Sequence, residues 1–182
     1  MSRAVESKRP IVSSAHLVSE RSAELSEFEY GLIVASHALN RWMVRCMAAA
    51  GLGDLGPLDI LVLHSVNHRG RDKKLADICF VLNVEDSHTV SYALRKLVRA
   101  GLVETRKSGK ETFHATTKQG RAACERYRQV REDCLMAALD AFAGTTEGAT
   151  GGDLNQRIGS AADLLRAVSG LYDQAARAAS SL

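Results

Sequence analysis

An ordered run of short elements between Leu58 and Gly120 constrains this chain more than any other feature. An apolar helix, PLDILVLHSVNHRG, is followed by a shorter one, KKLADICFVLN. A polar break, VEDS, leads into SHTVSYALRKLVRAG, and LVETRKSGKETFHATT then alternates about a central Ser-Gly as a two-stranded hairpin does. Helix, helix, turn, helix, hairpin is the order of a winged helix-turn-helix. It puts nucleic-acid binding first among functions. The chain shows no Gly-rich phosphate loop, no local Ser-His-Asp or Cys-His signature and no paired carboxylates, so no catalytic residues are expected.

The distribution of charge points the same way. The whole chain carries only +3, but His64 to Arg131 holds 15 Lys or Arg against 7 Asp or Glu, a balance of +8, and the remainder is −5. A basic segment between acidic flanks draws phosphate and releases its counterions. The competing reading is a solvated helix surface.

At 182 residues, 46% apolar, the chain can bury a core. Two prolines and 5% aromatics suit a mainly α fold. No apolar run reaches the ~20 residues of a membrane span, and the first 24 residues lack a signal peptide's apolar stretch. Cys46, Cys79, Cys124 and Cys134 have no CxxC spacing and fall in expected helices, which fits reduced packing thiols in a cytoplasmic protein. Cys124, beside Arg121 and Arg128, and Cys46 are the candidates for a thiol redox sensor. His64 and His68 are four apart on one helix but lack further ligands nearby, so no metal and no cofactor is expected.

Three long amphipathic helices flank the central unit. The first spans about Leu25 to Ala50, with a stripe of Phe28, Leu32, Ala35, Leu39, Trp42, Cys46 and Ala49. The second starts near Thr116 or Thr117, where Thr116 and Gln119 resemble a capping box, and carries Ala123, Tyr127, Val130, Cys134, Ala137 and Ala141. GTTEGATGG breaks it, and Asp153 with Gln156 caps the third, whose stripe runs from Leu154 through Ile158, Leu165 and Tyr172 to Ala179. These helices bury their stripes within one subunit or against a second one, and apolar residues beyond the last seam (Leu164, Leu171) favour a two-fold dimer. The expected division is a flexible arm over 1–22, a dimerisation helix over 23–56, a winged helix-turn-helix over 57–116 and dimerisation helices over 117–182. The expected fold is mainly α with a small β-hairpin wing.

LADICFVLNVEDSHTVSYALRKLVRAGLV, the hairpin and then TTKQGR together resemble the MarR family of bacterial transcription regulators. The carrying residues are Leu97, Arg99-Ala100-Gly101-Leu102-Val103 and Thr117-Lys118-Gln119-Gly120-Arg121. The resemblance implies a homodimer that binds double-stranded DNA at an inverted repeat, with a small-molecule effector acting between the dimer helices and the winged helix. Two departures bear on the target site. The wing reads Arg106-Lys107-Ser108-Gly109-Lys110, without the family's Asp-x-Arg, and Thr89-Val90-Ser91 is followed by Tyr92 where an arginine is frequent.

In SHTVSYALRKLVRAG, Val90, Ala93, Leu94, Leu97 and Val98 form the expected buried stripe, and Asp86 the N-cap. The opposite face assigns Ser87, His88, Thr89, Ser91 and Tyr92 to base or near-base contact, with Arg95 and Arg99 reaching bases or phosphate. Arg106, Lys107 and Lys110 mark the wing tip, as phosphate or minor-groove contacts or as protection of an exposed strand. The alternatives are a winged-helix protein-interaction module without DNA binding and a thiol-based redox sensor.

Overall fold

The computed structural model describes residues 21–146 and 153–182. The expected arm, up to residue 20, and most of the GTTEGATGG break lie outside the described residues. Helix α1 (Ala23–Ala49) is followed by α2 (Pro57–Asn67), a 3₁₀ turn at His68–Gly70, α3 (Leu75–Leu82) and α4 (Ser87–Arg99). Strands β1 (Val103–Ser108) and β2 (Glu111–Thr116), α5 (Lys118–Arg131), a π turn at Glu132–Met136, α6 (Ala137–Thr146) and α7 (Leu154–Ala179) complete the chain. It divides into two compact units, Met1–Val130 and Arg131–Leu182.

The first unit holds the core. Ile60, Val62, Leu63 and Val66 of α2 pack with Ile78 of α3, Val90, Ala93, Leu94 and Leu97 of α4, and Leu102 and Val103 at the start of the hairpin. Ala123 and Cys124 of α5 close one side, and Met43 and Met47 of α1 with its C-cap Ala50 another. In α1 only part of the expected stripe is buried within one chain. Leu32 and Leu39 are exposed, and the buried residues of its C-terminal half are Met43, Cys46 and Met47, one position round from Trp42. The Arg126 guanidinium donates to the carbonyl of Ala50 at 2.8 Å, satisfying the C-terminal end of α1 from α5.

Local chemistry sets each boundary. Pro57 occupies the first turn of α2, and the Asp59 carboxylate accepts the Gly56 N–H at 2.9 Å. The break between α3 and α4 is made by Asn83 at φ 51°, a left-handed conformation that Asn tolerates, with the Val84 N–H returned to the Cys79 carbonyl at 2.9 Å. Asp86 then caps α4 through the His88 N–H at 2.9 Å, as its sequence position predicts. Helix α4 ends at Gly101, φ 71°, and Leu102 donates back to Leu97 at 3.0 Å. The cap of α5 is Thr117, which accepts from the Gly120 N–H at 3.0 Å. Thr116, the expected partner of Gln119, instead pairs with Val103 in the hairpin and is buried against Asn67.

The β1–β2 register runs from Val103↔Thr116 to Ser108↔Glu111. Lys73 adds a third extended segment by exchanging both backbone hydrogen bonds with His114, at 2.9 and 2.8 Å, a pairing that no local sequence pattern indicates.

In the second unit the uninterrupted stripe expected through Cys134, Ala137 and Ala141 is corrected. All three are exposed, and Met136, Leu139 and Ala143 are the half-buried positions. The π turn at Glu132–Met136 inserts one residue and so rotates everything after it. Asp153 caps α7 by accepting the Asn155 N–H at 3.1 Å, and α7 carries no buried residue.

His64 of α2 stacks edge-on against Tyr127 of α5, ring centroids 4.6 Å apart, and its Nε2 is buried without a hydrogen-bond partner. Burial lowers its pKa below the ordinary 6.5, so the folded state favours the neutral ring. The unfolded chain therefore binds the proton first as pH falls. The stabilisation is complete above about 6.5 and is lost as pH drops through the lowered folded value. Thermal midpoints should fall from pH 7 to about 5, and His64→Phe should flatten that fall. His114, lowered by the same cause, contributes in the same direction. An unchanged slope in His64→Phe would show that His64 does not carry it.

Candidate nucleic-acid interface

Helix α4 is amphipathic, with one buried and one exposed face. Val90, Ala93, Leu94 and Leu97 are buried, while Ser87, His88, Thr89, Tyr92, Arg95 and Arg99 are exposed and Ser91 is half-buried. Val98, expected in the buried stripe, is 38% exposed. Successive residues turn by about 100°, so Val98 falls a quarter turn from the line through Leu94 and Leu97 toward Arg95. The exposed set begins at the helix N-terminus, the end that a recognition helix presents to the major groove.

The local bonds define what each side chain offers. The Thr89 hydroxyl donates to the Asp86 carbonyl at 2.7 Å, leaving its lone pairs and methyl group outward. Arg95 reaches Ser91 Oγ at 3.5 Å and remains exposed, with capacity for a base edge or a phosphate. Leu75, Leu94 and Val98 floor a 330 Å³ cleft between α4 and the wing, with Arg95, Arg99 and His114 at its margin.

The wing's basic residues separate by face. Side chains alternate along a strand, so Arg106 and Phe113 share one face while Lys107 and Thr112 share the other with Thr105 and His114, which line the cleft against α4. Lys107 is thus on the strand face that is turned to α4. Arg106 lies on the far side, 3.4 Å from Glu104 and 3.7 Å from Asp72. Lys110 is at the turn. Lys96 is the basic residue of α4 that the polar-face pattern does not single out. It lies on the rim of the buried stripe, about 60° beyond Ala93, and turns inward to Asp59. That rim position is the signal that could have found it.

Among the described residues, no three His, Cys, Asp or Glu side chains gather as a metal site, and no helix is long and apolar enough to cross a membrane. Burial pushes the Cys124 thiol up to about 11, so it is a poor thiolate at neutral pH. The equally buried Cys46 donates to the Tyr127 carbonyl at 3.5 Å.

Residues 55–120 match the family model of a winged helix DNA-binding domain. No curated protein matches the chain by sequence. Among solved structures, it is similar to a MarR family transcription regulator at 18% identity, with 82% of this chain and 95% of that one covered and a TM-score of 0.59. It is similar to Streptococcus pneumoniae FabT in complex with DNA at 17% identity, covering 80% and 94%, TM-score 0.56. NadR in complex with 4-hydroxyphenylacetate is similar at 17% identity, covering 78% and 91%, with the same TM-score of 0.56. Over the covered residues the chain has the fold of these structures, as the resemblance carried by its motifs implies. The matched model is that of a DNA-binding winged helix, and the solved structures share the fold.

Proposed function

We propose that this chain is a homodimeric transcription regulator that reads an inverted-repeat site in double-stranded DNA within the bacterial cytoplasm. The observation that carries the reading is the exposed face of α4, polar at its start and basic at Arg95 and Arg99, beside a cleft lined by Thr105 and His114, whose strand face Lys107 shares. Ser87, His88, Thr89, Ser91 and Tyr92 read base edges, Arg95 and Arg99 anchor, and Lys107 and Lys110 follow the phosphates. Arg106, held by Glu104 and Asp72, must exchange those partners before it can join them. Two such helices about one helical turn, roughly 34 Å, apart define the half-site spacing.

Effector control is supported by a second feature. A cavity of about 790 Å³ lies along α2 and α3, with Leu61, Phe80 and Val81 as apolar wall and Arg69 and Arg71 at its edge. Phe80 is 87% exposed there, an apolar surface for a small molecule to cover.

Selection of bound fragments from genomic DNA tests the function. One inverted repeat should be enriched, and Ser91→Ala and Tyr92→Ala should change preference at particular bases by ~1–3 kcal/mol. Replacing Lys107 and Lys110 by Ala should weaken all duplexes alike and reduce the slope of log affinity against log salt by about one for each phosphate no longer neutralised. No enrichment at moderate salt, with or without candidate ligands, would hand the fold to the protein-interaction reading.

A further inference from the structure

Helix α4 is seated on the core by apolar contacts, which are non-directional and hold its rotation about its own axis less sharply than a hydrogen bond does. Among the described residues, one polar side-chain contact ties α4 to another helix. Lys96 Nζ donates to Asp59 Oδ2 at 2.6 Å. Asp59 is nearly buried, and the same oxygen accepts the Gly56 N–H at 2.9 Å, so its position is fixed by the N-terminal turn of α2. At 100° per residue, Lys96 stands about a quarter turn from the face formed by His88, Tyr92, Arg95 and Arg99. It is a lysine inside the basic segment whose charge is committed inward.

We propose that Lys96 is a positioning residue. Through Asp59 it sets the roll of the recognition helix, and with it the discrimination between sites, without touching DNA. The geometry gives the leverage. Side-chain atoms lie about 6 Å from a helix axis, so a roll of about 10° moves them ~1 Å, enough to spoil a hydrogen bond to a base edge. Contacts to phosphate by long flexible lysines absorb the same displacement. Removing the pair should therefore reduce selectivity and spare general affinity.

The inference rests on the DNA-reading function above, and the experiment separates the two. Affinities of the full chain and of Lys96→Met, Lys96→Arg and Asp59→Asn are measured for the selected duplex and a scrambled one, across a salt series well below each thermal midpoint. Lys96→Met and Asp59→Asn should each lower the ratio of specific to non-specific affinity about tenfold, with the salt slope and scrambled-duplex affinity of Lys96→Met unchanged. Lys96→Arg should keep most of the ratio. The double variant Asp59→Asn with Lys96→Met should be no worse than either single change, and it leaves no charge unpaired where Lys96→Met alone fails to fold. A salt slope lowered by about one in Lys96→Met, both duplexes weakening together, would make Lys96 a phosphate contact and overturn the proposal. A lowered thermal midpoint with an unchanged ratio would reduce the pair to a structural one and overturn it too. A native chain that does not discriminate removes the DNA-reading function and this inference with it.

Discussion

Gly120→Ala should destabilise the first unit by about 3 kcal/mol or more, lowering the thermal midpoint by roughly 6–12 °C. A Cβ built at Gly120 would lie 2.0 Å from the carbonyl oxygen of Leu102, which is backbone and cannot rotate aside. The approach is close because the two family-like motifs are one joint. Gly101 ends α4 in the left-handed conformation, and Leu102 then accepts the Thr117 N–H at 3.1 Å. The Thr117 hydroxyl donates to the Gly101 carbonyl at 2.7 Å while capping α5. Arg121 follows by donating to the Thr116 carbonyl at 2.6 Å. Any side chain at Gly120 pushes α5 off the base of the wing and opens the core around Leu102 and Ala123. Gly53→Ala is the control. That site has open space and no positive φ, and its change should stay within about 1 kcal/mol. Thermal melts of the two variants decide it, and a midpoint for Gly120→Ala within about 2 °C of the native one would refute the joint.

That joint shows what a sequence discloses and what it does not. RAGLV and TTKQGR are legible as motifs because each is a local device, a helix stop and a helix start. Their mutual contact spans the whole hairpin and needs coordinates. The same division runs through the site. Asp86 and the polar face of α4 follow from neighbours in the chain, and the expected helices agree with the observed ones to within a few residues. Lys96 with Asp59 is a pair 37 residues apart, and nothing nearby in sequence marks either for the other. Arg106 and Lys107 read as one cluster in the sequence, yet strand alternation places them on opposite faces once the register is known. The bridge from Lys73 to His114 is long-range in the same sense. The π turn near Cys134 defeats a fixed period, because a single inserted residue leaves the apolar spacing of the sequence intact while moving its direction in space.

Leu165→Asp should convert the chain from dimer to monomer or aggregate and abolish tight binding to the inverted repeat. Leu164 and Leu165 of α7 are 52% and 43% exposed, Ile158 and Leu171 are 45% and 62%, and no residue of that helix is buried. Helix α1 likewise leaves Ile33, Val34 and Leu39 about half exposed. Apolar helical surface of this extent is costly in water and is the usual mark of a subunit contact. A carboxylate placed in the seam at position 165 must be desolvated without a partner, a penalty of several kcal/mol set against association. The core cluster of the first unit contains no α7 residue, so the winged helix itself should remain folded. Its circular dichroism and half-site binding then separate dissociation from unfolding. Two half-sites on one dimer bind as a linked pair, and a monomer loses that linkage. Affinity for the full repeat should therefore fall by about 10²-fold or more, while the scrambled duplex changes little. Sedimentation at tens of micromolar reads the first outcome and titration of the repeat the second. A native chain that sediments as a monomer at that concentration, or a Leu165→Asp variant that stays dimeric, would place the exposed stripe of α7 outside the subunit interface.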